Sequence, residues 1–139
     1  VQFAEIGDGR CFLSLAGVSR FRIAEEMKTL TPYRIVRADY SAFEQDFVEG
    51  SGEGDVDREG LLKALRDFAK ANDLKIDWDD IDKASNETLV NSLAIMSPYG
   101  PREKQAMLEA ADLKSRAEIL VAIAQFDLAG GAEAPGRLH

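Results

Sequence analysis

The feature that most constrains this chain is a change in the spacing of its apolar residues across one glycine-rich stretch. Ahead of "EGSGEGD" (residues 49–55), apolar side chains recur at every second position, the period of a strand. Beyond it they recur at three- and four-residue intervals, the period of a helix face. The stretch itself has Gly at every second residue and no large apolar group, so it reads as a flexible joint. It is not a phosphate-cradling loop, because no Lys-Ser/Thr pair follows the glycines. At 139 residues the chain is one domain, or at most two small subdomains. The expected division is a β subdomain over 1–48, a joint over 49–56, helices over 57–130 and a disordered tail over 131–139.

In the first part, "VQFAEI" is a half-apolar strand and "GDG" (residues 7–9) a hairpin turn, since Gly and Asp tolerate positive φ. "RCFLSLA" places Cys11, Leu13 and Leu15 on one face, which predicts Cys11 as a small buried core thiol. "SRFRIAE" sets Phe21 and Ile23 against Arg20 and Arg22, and Gly17 predicts a bulge within one long strand. Residues 33–40, β-branched and aromatic, form a further strand. Arg20, Arg22, Arg34 and Arg37 read as a solvated strand face.

In the second part, Leu61, Leu65, Phe68 and Ala69 define a helical face behind an Asp57 N-cap. "DWDDIDKA" is a short helix or turn with Trp78 and Ile81 pointing inward. Ser85 caps the next helix, with Glu87 in its first turn. Pro98 stops it, because proline disfavours α geometry in the preceding residue. Pro101 suits the first turn of the helix that follows, where its missing N–H costs nothing. Met107 or Leu108 turns inward there. Asp112 caps a last helix with a stripe of Leu113, Ala117, Leu120, Val121, Ala124 and Leu128, ended by Gly130 and Gly131.

Composition excludes several functions. The formal net charge is −8, and residues 1–40 hold six Lys/Arg and five Asp/Glu, so the acid lies beyond them. Phosphate backbones are repelled by such a surface, and no nucleic-acid partner is expected. No run of 18 apolar residues and no charged-then-apolar leader is visible, so no membrane partner is expected. A single cysteine excludes an internal disulfide and is compatible with a reducing compartment. The only histidine is His139, which leaves no zinc set and no Ser-His-Asp triad. The acidic run from Asp77 to Asp82 fails as a calcium loop. Asp82 and Thr88 stand where that loop requires Gly and Glu. No catalytic residue, metal ligand, cofactor or cofactor-binding residue is assigned.

"LAGVSRFRI", "YRIVRADY" and above all "SPYGPREKQAMLEAADLKSRAE" resemble the N-terminal substrate-binding domain of Lon proteases. Lys104, Gln105, Leu108, Glu109 and Asp112 stand at the positions of that family's motif after the helix-breaking proline. The likeness is nearest to stand-alone bacterial proteins that carry this domain without the peptidase. It implies an α+β fold, an antiparallel β subdomain forming part of a PUA-like pseudobarrel, followed by a helical bundle. It further implies that the chain enters midway through the β subdomain, which predicts self-association through unpaired strand edges. No ATPase or protease motif is present, so the chain is not expected to be an enzyme.

The function the resemblance implies is a non-catalytic, cytoplasmic binding module for exposed apolar segments of unfolded or partner proteins. Candidate contacts are Met27, Leu30, Pro32 and Tyr33 on the β side and Met96 and Tyr99 at the helical corner. The alternative is an assembly element whose apolar edges serve oligomerisation without substrate recognition.

Overall fold

β1 (Gln2–Glu5) and β2 (Cys11–Ser14) form an antiparallel hairpin with Phe3 opposite Leu13. Its turn uses Gly7 and Gly9 at φ +72° and +82°, values that only glycine adopts without strain. A computed structural model describes residues 2–5 and 7–130; the predicted tail over 131–139 lies outside them. The described chain divides into two compact units, Val1–Glu49 and Gly50–His139. All the strands fall in the first and all the α-helices in the second, so the fold is mixed α+β.

The first unit holds a second antiparallel pair, β3 (Arg22–Met27) and β4 (Ile35–Asp39), with Met27 opposite Ile35. Three expectations need correction here. Residues 15–21 are not strand, so β2 and β3 are not one long strand, and the irregularity falls between Ile23 and Glu25 rather than at Gly17. The cause lies at Arg20, whose backbone N–H and guanidinium both donate to the Asp46 carboxylate, at 2.7–2.9 Å. Its guanidinium also covers the Phe43 ring at 4.4 Å. Arg20 is therefore 13% exposed and fixed, not part of a solvated face. Arg34 and Arg37 do lie on solvent, paired with Glu26 and Glu25. Cys11 is exposed rather than core, because every residue of β2 is exposed. Among the described residues of this unit, Phe43, in the 3-10 segment Ser41–Phe47, is the buried apolar residue.

In the second unit four helices start behind a side-chain cap, three of them at the expected residue (Asp57, Ser85 and Asp112), while the helix opened by Pro101 follows Gly100 without one. Asp57, Asp77, Ser85 and Asp112 accept from the backbone N–H groups of Gly60, of Asp79 and Asp80, of Thr88, and of Ser115. The helices are α1 (Arg58–Ala71), α2 (Trp78–Lys83), α3 (Asn86–Met96), α4 (Pro101–Glu109) and α5 (Leu113–Leu128). Pro101 occupies the first position of α4. Val56, Leu61, Leu62, Leu89, Val90, Met107, Leu113, Ala117 and Leu120 form the core. Of the two candidates in α4, Met107 is 1% exposed and Leu108 52%.

Two arginines tie these helices together. Arg58 donates to Asn86 and to the carbonyls of Ile81 and Asp82. Arg116 donates to the Met107 carbonyl and to the Asn91 side chain. The glycine-rich segment is held to the start of α3. Glu53 accepts from the Glu87 N–H at 2.7 Å, and Glu87 in turn accepts from the Gly50 N–H at 2.8 Å.

Candidate functional site

The six residues singled out from sequence fall in different units. Met27 ends β3, and Leu30, Pro32 and Tyr33 occupy the turn into β4; all four are exposed. Met96 is the last residue of α3 and Tyr99 follows its C-cap, so both belong to the proline corner.

At that corner the second unit has an apolar groove of about 160 Å³. Its floor is made by core-facing residues of three helices: Leu61, Ala64 and Phe68 of α1, Leu93 of α3, and Leu120 and Ala124 of α5. Its lip is Leu74 and Ile76, from the segment between α1 and α2, together with Met96, Pro98 and Tyr99. Met96 is 80% exposed, so its thioether stands at the mouth. Tyr99 packs edge-on against Phe68, with ring centroids 6.2 Å apart. Burial holds the Tyr99 phenol above its ordinary pKa, and the nearby Asp127 carboxylate adds to that.

The local sequence explains the groove. α3 ends at Met96 because Pro98 follows, and Pro101 restarts the chain as α4. The corner therefore turns away before the α3 face is covered, and the floor between α1 and α5 stays open at that end. The polar side chains in the lining are the Ser97 hydroxyl and the Tyr99 phenol. Such a lining desolvates an apolar group and offers little to orient a polar one.

Sequence reasoning identified Met96 and Tyr99 and missed the rest of the groove. Phe68 and Leu120 were recognised as core-facing, and both also form its floor. Leu74 and Ile76 carried a weak signal, two apolar residues alternating with charged ones just past a helix end. Among the described residues, no group of three His, Cys, Asp or Glu is placed to hold a metal ion. Nor, among the described residues, is any helix long and apolar enough to cross a membrane.

The family model described as "ATP-dependent protease La (LON) substrate-binding domain" matches residues 1–125. No curated protein and no solved structure matches the chain.

Proposed function

Because the chain belongs to the ATP-dependent protease La (LON) substrate-binding domain family, a non-catalytic domain, we propose that it captures exposed apolar segments of unfolded or partner proteins in the α1–α3–α5 groove. The observation that carries this reading is an apolar groove with a mobile-type side chain, Met96, standing exposed at its mouth. Methionine is flexible and polarisable and suits contacts with varied sequences. A shallow apolar groove with no charged side chain in its lining also fits binding better than chemistry. Met27, Leu30, Pro32 and Tyr33 supply a second contact patch on the β unit.

The same reading takes the β unit as part of a PUA-like pseudobarrel and the chain as a cytoplasmic module. The assembly alternative draws on one observation. Among the described residues each sheet has two strands, and Phe3, Phe12, Leu13 and Ile23 are exposed on them. Two-stranded sheets are marginal alone, and their edges pair readily with other strands. Sedimentation across a concentration series separates the two readings: a monomer throughout removes the assembly role.

The groove is tested with a carboxymethylated, permanently unfolded protein and its folded parent. The chain should bind the unfolded form alone. Leu74→Asp and Met96→Asp, both at exposed positions, should each weaken binding by about tenfold, or about 1.4 kcal/mol. Unchanged affinity in both variants, with unchanged circular dichroism, removes the groove from the binding site.

A further inference from the structure

The groove lies where three helices end. Gly60 and Leu61, near the start of α1, share a lining with Ala117 and Val121 of α5, whereas Phe68 in the last turn of α1 shares the groove with Ala124. α1 and α5 therefore run in the same direction. α3 runs with them, since Asn91 accepts from Arg116 while Leu93 and Met96 reach the groove beside Leu120 and Ala124. A helix C-terminus carries about half a negative charge from its unpaired carbonyls. Three such ends converge here.

Lys70 compensates the α1 end and Lys104 the α3 end, so the α5 end is the most acidic of the three. α1 has Lys70 in its last turn, but neither α3 nor α5 has a basic residue there. α5 has Asp127 instead, and Leu120, Ala124 and Asp127 stand at i, i+4 and i+7, so the carboxylate extends the groove-lining stripe. The region already draws one cation: Lys104 Nζ donates to the Ile95 carbonyl at 2.9 Å. Over residues 50–130 the chain has 10 Lys/Arg against 16 Asp/Glu, so the wider field has the same sign.

Size narrows the apolar part of the ligand. At about 160 Å³ the groove is close to the roughly 150 Å³ cavity known to admit one benzene, and short of the roughly 300–1,000 Å³ of small-molecule pockets. One aromatic or branched aliphatic side chain fills it.

We propose that the groove takes a single apolar anchor, aromatic or branched aliphatic, from a polypeptide segment that carries Lys or Arg within a residue or two of that anchor. The anchor fills the floor while the cation lies over the C-terminal end of α5 and Asp127. This rests on the reading of the groove as the substrate-binding site. It makes Asp127 a specificity residue, and it makes basic, unfolded segments the preferred class over acidic ones of equal hydrophobicity.

The test uses the full chain and labelled Ser/Gly peptides with one central Phe flanked by Lys, by Ser or by Glu, plus a Lys-flanked peptide with Ala in place of Phe. Binding is read by fluorescence anisotropy. The Lys-flanked Phe peptide should bind about fivefold tighter than the Ser-flanked one, and the Glu-flanked one weakest. The spread should collapse at about 1 M salt, where the Debye length is about 3 Å. Asp127→Asn should lower the Lys-over-Ser ratio. The Ala peptide should not bind. Equal affinity for all three Phe peptides overturns the cation preference and leaves the groove reading standing. Equal binding of the Ala and Phe peptides between Lys residues overturns the anchor. No binding by any Phe peptide overturns the groove reading itself, and this inference with it.

Discussion

Leu89 and Leu120 offer a controlled comparison, because the same truncation at two buried leucines should cost different amounts. Leu89 is 2% exposed and Leu120 4% exposed, and both belong to the core of the helical unit. Leu→Ala in a core costs about 2–5 kcal/mol: a transfer part near the lower figure, plus about 24 cal/mol per Å3 of void that remains. Leu120 forms part of the floor of the 160 Å³ groove, so the space it vacates opens into one that already exists. Leu89 does not line that groove and is packed within the core, so its void has no existing space to open into there. The expectation is about 2–3 kcal/mol for Leu120→Ala and about 3–5 kcal/mol for Leu89→Ala. Trp78, the only tryptophan, lies half-buried in this unit beside Arg66, so its fluorescence reports the helical unit. Urea melts followed at Trp78 give both values, with unchanged slopes confirming that the same surface is exposed. Leu108→Ala, at an exposed position, is the control and should stay within about 0.5 kcal/mol. A Leu120→Ala cost equal to or above that of Leu89→Ala would refute the venting argument, and a cost near that of Leu108→Ala would refute its core assignment.

Gly52→Ala should destabilise by about 1–2 kcal/mol, because φ is +77° while the added Cβ would meet Leu113 at an ordinary 3.7 Å. Gly54→Ala, with open space and no positive φ, should be near neutral in the same urea melts. Pro101→Ala should cost less than about 1 kcal/mol, since only the preset first turn of α4 is lost. The Glu53 carboxylate is held below its usual range first by the Glu87 N–H and then by the Ser85 hydroxyl. A depressed folded value stabilises above the unfolded pKa of about 4.3 and is lost as pH falls through the lower folded one. Glu53→Gln should therefore shrink the stability lost between neutral and acidic pH, and an unchanged acid limb in urea melts would sink that assignment.

Helix starts and stops were legible from sequence because their causes are local. Asp57, Ser85 and Asp112 cap through hydrogen bonds spanning three residues, and Pro98 and Pro101 act through their own rings and missing N–H groups. The apolar stripe of α5 was legible for the same reason over Leu113, Ala117, Leu120 and Ala124, as the 3.6-residue period depends on nothing distant, but the expected last member, Leu128, is exposed. The motif around Lys104 to Asp112 likewise marked the family. Tertiary structure alone decided that Arg20 leaves the strand pattern, because its partner Asp46 lies 26 residues away. It alone decided that Met107 rather than Leu108 turns inward, since adjacent helical positions differ by about 100° and only the packing of α4 against its neighbours sets which is buried. It also decided the groove, whose floor combines residues from 61 to 124 that no local period links. Cys11 shows the same division from the other side: strand alternation set which face its side chain shares, but only the tertiary structure determined that nothing covers that face.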